Sequence, residues 1–288
     1  ALSSLSQMPW SMDRALASTE PFPDIAVVKG KSPGAITRAA IEALGGMGRF
    51  VSRGDVVVVK PNMGWDRAPE QAANTNPEVI RALVEMAYNA GAKKVKVFDN
   101  TCNEARRCYV RSGIQKAAQS AGAQVSFLDP RRFKELDIPG GQALKRWPIY
   151  MEALEADKII NVPIAKHHSL TRLTLGMKNW FGLLGGNRSH LHQQADQVIV
   201  DLGLGFKPVL TVLDAYRVLT ANGPQGGSLA DVRTLSTVAA GTDQVAIDSF
   251  GASLFGLKGS DLSYLVKAAK MSLGQLDLNR LKIKRLEI

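Results

Sequence analysis

The sequence predicts an α/β fold: a doubly wound, mostly parallel sheet flanked by helices. Three observations carry this expectation. Strand and helix patterns alternate β-α-β-α-β from Asp55 to Leu128, the order that builds parallel sheets. The run Asp55-Val56-Val57-Val58-Val59 is apolar on both faces, as a strand covered on both sides must be. Several strand patterns end in polar or ionisable residues, at the sheet edge where such folds bind ligands.

Residues 1–23 are polar and irregular and read as an N-terminal arm. The domain then spans 24–288, with lobes allowed at about 24–150 and 151–288. Ile25–Lys29 is a short strand pattern. Gly34–Leu44 has helical spacing at Ile36, Ala40, Ile41 and Leu44, and stops at Gly45-Gly46. The valine strand stops at Lys60-Pro61-Asn62, because proline cannot extend the ladder. Asn76-Pro77 opens the next helix, with Asn76 as cap and proline in the first turn. Lys94–Asp99 is a strand, about Glu104–Ala121 a helix and Gln124–Leu128 a strand. A short helix follows over Tyr150–Glu155. Strands are expected at Lys158–Val162, Val209–Asp214 and Val238–Asp243, and a helix at Gln244–Phe255.

Composition narrows the function classes. With 288 residues, 45% hydrophobic and 22% charged, the chain is a globular protein, not a disordered one. No run reaches the ~18 apolar residues that would mark a membrane span. The net charge of +10 comes without a long basic tract, and aromatics are 6%, so nucleic acid is disfavoured against a small anionic ligand. No glycine pattern has the spacing of a nicotinamide or nucleotide motif. The sequence begins at Ala1, which suits a processed or trimmed N-terminus.

All four histidines, His167, His168, His190 and His192, fall within 26 residues that also hold Lys178 and Asn179. Imidazole moves protons near neutral pH and ligates metals. His168, Lys178 and His190 are therefore the catalytic candidates, with His168 as general base or ligand and Lys178 holding an anion or forming an adduct. Lys60, Asn62 and Asn179 are the substrate-binding candidates. His190 and His192 are two apart, so an extended segment would put them on one face, where His192 could join a divalent transition-metal site. Cys102 follows a strand and Cys108 lies one turn into a helix beside Arg106 and Arg107, a setting that favours thiolates. Three states stay open for this pair: cluster ligands, one disulfide, or two inert buried thiols.

Several strings in order resemble the bacterial and archaeal domain of unknown function 362 family. They are Lys60-Pro61-Asn62, Thr75-Asn76-Pro77-Glu78-Val79, Gly91-Ala92-Lys93-Lys94-Val95 and Ala156–Pro163. Further along come Lys166-His167-His168, Thr174–Gly182 and Ala240-Gly241-Thr242-Asp243. The resemblance covers roughly Asp24 to Gly274. It implies the α/β fold and, since some members carry cluster-binding domains and some a twin-arginine export signal, an iron-sulfur association and export to the periplasm over a cytoplasmic location. With two cysteines per chain, a [4Fe-4S] cluster would need both cysteines of each subunit across a two-fold axis, hence a homodimer or higher homo-oligomer. The spacing of ten between His168 and Lys178 is also similar to that of the nickel-pincer lactate racemase, although the glycine-rich wording between them is absent. Three functions follow as expectations: an iron-sulfur redox protein with an electron-transfer partner, a metal-assisted enzyme on a small carboxylate, or a non-catalytic binding or self-assembling protein.

Overall fold

The computed structural model describes residues 21–288, so most of the expected N-terminal arm lies outside the described residues. One ten-stranded sheet organises the chain. Its strands include β1 (Ile25–Lys29), β2 (Val56–Pro61), β3 (Lys94–Val97) and β4 (Gln124–Val125). A hairpin, β5 (Phe133–Asp137) with β6 (Arg146–Tyr150), stands apart from it. The sheet resumes with β7 (Lys158–Val162), β8 (Ile164–His168), β9 (Arg172–Thr174), β10 (Leu210–Leu219), β11 (Val232–Gly241) and β12 (Ile283–Glu287). The lateral order is β12-β1-β11-β10-β7-β2-β3-β4, with β8 branching from β10 and β9 pairing back on β8.

The pairs β1–β12, β10–β7, β10–β8, β7–β2, β2–β3 and β3–β4 are parallel, and only those of β11 and of β8–β9 are antiparallel. The mostly parallel α/β sheet expected from sequence is present. Strand alternation divides its apolar side chains between two cores. Val57 and Val59 join α1 (Pro33–Ala43) and α2 (Pro77–Asn89) on one face. Val58 faces the other core, with α6 (Ala195–Gly205), α7 (Gln244–Ser253) and α8 (Ser263–Lys270). Each fully buried valine or isoleucine is worth about 1.5–3 kcal/mol, so the valine run anchors both layers at once.

Several boundaries depart from the sequence reading. The helix expected over 104–121 is two helices, α3 (Ala105–Arg111) and α4 (Ile114–Ser120), broken where Gly113 takes a left-handed φ of +73°. The Gln124–Leu128 strand shrinks to two residues. β10 runs on to Leu219, so Asp214 sits within a strand rather than at its end. There it is buried and accepts from the Asn76 backbone N–H at 2.7 Å, holding the start of α2. β11 begins at Val232, ahead of the expected Val238, and this first half is half-buried or exposed and so lacks the apolar run of the second. The short helix expected over Tyr150–Glu155 is α5, Met151–Leu154.

Candidate functional site

The carboxyl ends of β2, β3 and β8 open onto one cavity of about 580 Å³. Its floor is a closed polar network. Lys60 is 0% exposed, and its Nζ donates to Asp99 Oδ1 at 2.8 Å, to the Pro61 carbonyl at 2.6 Å and to Asn179 Oδ1 at 3.3 Å. Asp99 Oδ2 accepts the Met63 backbone N–H at 2.6 Å. Asn179 donates to Asn161 Oδ1 at 2.8 Å and accepts from Asn62 Nδ2 at 3.2 Å. Gly182 permits this packing: a Cβ there would lie 1.7 Å from Asp99 Oδ1.

One wall is the 3₁₀ helix Met177–Leu183, which carries Lys178 and Asn179. Its start is fixed by Asp248 of α7, whose carboxylate accepts from Gly176 N at 2.6 Å and Met177 N at 3.0 Å. Burial pushes the Asp248 carboxyl up to about 7 despite these bonds. Trp180 points away from the cavity and donates its indole N–H to Gln244 at 3.0 Å. An alternating anchor-and-present pattern thus turns Lys178 toward the cavity while the apolar residues beside it fill the core.

Lys178 is 6% exposed, and among the described residues its ammonium has no carboxylate or hydrogen-bond partner; the Phe181 ring lies 4.5 Å from Nζ. Burial lowers it to about 8. Lys166 is also buried, donating to Asn62 Oδ1 at 3.1 Å and the Ala73 carbonyl at 2.5 Å, and burial lowers it to about 7. Arg188 spends its guanidinium on the carbonyls of Asn100, Phe181 and Thr101 at 2.9–3.1 Å. Three cations therefore line the cavity without an acidic partner among the described residues. The buried Thr174 hydroxyl on the same lining has no hydrogen-bond partner among the described residues.

His168 is buried, and its Nδ1 accepts from the backbone N–H groups of Leu170 at 3.1 Å and Thr171 at 3.5 Å. The ring proton accordingly resides on Nε2. Burial and the neighbouring lysines hold the ring neutral, with its pKa lowered to about 2. With Nδ1 accepting from the backbone, His168 presents its Nε2–H as a neutral hydrogen-bond donor. A ligating imidazole ordinarily donates its second N–H to a neighbour, whereas His168 accepts there, so it is poorly suited to hold a metal through Nε2. His192 lies across from it, the ring centroids 6.4 Å apart and stacked. No group of three or more His, Cys, Asp or Glu among the described residues is arranged to hold a metal ion.

The remaining candidates separate. His190 is exposed and does not line the cavity. His167 Nδ1 accepts from Gly223 N at 3.0 Å, a structural contact. Cys102 opens on the cavity, whereas Cys108 is 0% exposed, with its thiol 3.5 Å from the Gly64 carbonyl. Both are free thiols, and burial pushes Cys108 up to about 11. The residues do not fit a cluster shared between subunits through both cysteines, because Cys108 presents no surface to a partner. Of the residues named from sequence, Lys60, Asn62, Cys102, His168, Lys178, Asn179 and His192 meet at or around the cavity. Lys166 and Arg188 are the site residues that the sequence reading passed over. Lys166 stood in the same strand-end string as the histidines, and Arg188 in the glycine turn before His190.

Comparison with known proteins agrees with this architecture. The family described as "Domain of unknown function (DUF362)" matches residues 57–253. A Synechocystis protein named "Thylakoid-associated protein sll1697" is 30% identical over 220 residues, 73% of this chain and 66% of that protein. The lactate racemase apoprotein from Thermoanaerobacterium thermosaccharolyticum superposes with a TM-score of 0.51 at 13% identity, over 80% of this chain and 56% of the racemase. The chain thus spans just under two thirds of the first protein and little more than half of the second. The racemase likeness shows a shared fold. No helix among the described residues is long and apolar enough to cross a membrane.

Proposed function

This chain belongs to the domain of unknown function 362 family, whose description carries no activity, and we propose that it is an enzyme performing proton transfer on a small anionic substrate. The observation that carries the reading is the set of three cations, Lys166, Lys178 and Arg188, around one cavity whose lining carboxylate, Asp99, is already paired with Lys60. Leaving charge buried and unpaired is costly, and an incoming carboxylate or phosphate removes that cost. Each charge-assisted hydrogen bond it accepts contributes about 1.5–3 kcal/mol. Three of the five Arg188 N–H groups are taken by backbone carbonyls, which leaves two for the oxygens of an anion.

The acid–base roles follow from the two lysines and His168. Lys166 titrates near neutral pH, so it can both give and accept a proton under ordinary conditions. Its bonds to Asn62 and Ala73 hold the amine in place, which fixes where that proton is delivered. His168, neutral with its proton on Nε2, donates a hydrogen bond to a substrate oxygen and polarises it. The test is calorimetric titration with oxalate and with inorganic phosphate. Lys178→Met and Arg188→Met should each weaken the preferred anion by about tenfold or more, while affinities equal to wild type in both variants would contradict the proposal.

A further inference from the structure

Lys178 differs from every other cavity cation in having no hydrogen-bond acceptor among the described residues. Lys60 is closed by Asp99, Lys166 by Asn62 and Ala73, and Arg188 by three carbonyls. Phe181 covers one side of its amine at 4.5 Å, and the cavity lies on the other. Electrostatic anion binding alone would be served by Arg188 and Lys166. A lone amine with no bonds to break is suited instead to attack.

We propose that Lys178 forms an imine with the ketone carbonyl of a small anion whose charged end is held by Arg188. The inference rests on the anion-binding reading above and narrows its substrate to carbonyl-bearing anions. In the first step the lone pair of neutral Nζ bonds to the carbonyl carbon. The C=O π pair moves to oxygen, which takes a proton, and nitrogen gives one up. In the second step the carbinolamine C–O bond breaks, the hydroxyl leaves as water with an added proton, and nitrogen loses its remaining proton or stays as the iminium. The balance is amine plus ketone to imine plus water, with no oxidant or reductant. Lys166 can carry the protons, and His168 can donate to the oxygen while it becomes a hydroxyl. Burial keeps a substantial share of Lys178 as free amine near pH 8, whereas surface lysines remain ammonium.

The full chain is incubated at pH 8 with pyruvate or with dihydroxyacetone phosphate, reduced with cyanoborohydride, digested and mapped by mass spectrometry. The two probes separate a carboxylate from a phosphate as the anion. The inference expects one reduced adduct on Lys178 with at least one probe, lost in Lys178→Met and diminished in Arg188→Met. Calorimetry of the same probes without reductant keeps the two readings apart. Binding that depends on Arg188 but yields no adduct, or an adduct on Lys166 instead, overturns the imine and leaves anion binding standing. No adduct and no binding with either probe overturns the imine and counts against the anion reading as well. Lys178→Arg, which keeps the charge but cannot form an imine, must bind the probe and stay unlabelled; labelling in that variant would also overturn the assignment.

Discussion

The floor and the wall of the cavity handle buried positive charge in opposite ways. On the floor, Lys60 is met by Asp99 at 2.8 Å, and both are locked among backbone and amide groups. On the wall, Lys178 faces the same cavity with an aromatic ring as its neighbour and no carboxylate among the described residues. Both lysines are held below the ordinary lysine range by burial, but only Lys60 has Asp99 pulling back. The difference separates scaffold from site. A buried cation whose counter-charge is built in holds the fold together, and one whose counter-charge is missing is completed by what binds.

The strongest way to break this contrast is to disturb the floor. Gly182→Ala places a methyl against both Asp99 and Lys60, and should cost about 3–5 kcal/mol of stability, the range for breaking a buried ion pair. Urea unfolding would show it as a lowered midpoint. Asp99→Asn keeps the shape but leaves Lys60 without its counter-charge, and should cost about 3 kcal/mol by the same measurement. A loss within experimental error in both variants would mean that the floor is not a scaffold.

Changes to the wall should behave oppositely. Lys178→Met should leave unfolding unchanged or raise stability by up to about 1 kcal/mol, because it removes an uncompensated buried charge. Its cost should appear in anion affinity. A variant that unfolds as readily as Asp99→Asn would show that Lys178 has a structural partner after all.

The pH dependence sharpens the contrast further. Lys166 and Lys178 have folded-state pKa values of about 7 and about 8, below the unfolded value of 10.5. Their contribution to stability is fully present above the unfolded value, and is lost as pH falls through about 8 and then about 7. The free protein should therefore gain thermal stability between pH 7 and 10. Anion affinity should run the other way, weakening as pH rises above 8 and the ammonium charges disappear. The smallest effect is expected at His190, which is exposed: His190→Ala should change oxalate affinity by less than about twofold.

Much of this was legible in the chain. The valine run gave a strand covered on both faces, Asn76-Pro77 gave a helix start, and the polar ends of three strands gave the edge where the cavity lies. Clustering of histidine with Lys178 and Asn179 located the wall. What escaped was whatever depends on distant partners. Asp99 reads as one more polar strand-end residue until the fold brings Lys60 to it across 39 positions. Lys166 looks like a surface lysine, because only the turn that brings Asn62 and Ala73 over it buries its amine. Cys108 looked exposable at a helix start, yet its helix packs that face into the core. The role of His168 turned on two backbone N–H groups that follow it in the loop, which no residue pattern records.

The most direct test of the central claim is the proton count on anion binding, taken from oxalate titrations at pH 8.5 in buffers of different ionisation enthalpy. If Lys178 on the wall is completed by the anion, binding must restore its charge, with net uptake approaching one proton per oxalate in wild type. The uptake should fall sharply in Lys178→Met and persist in His190→Ala. Binding with no proton uptake in wild type, or with the same uptake in Lys178→Met, would contradict the account.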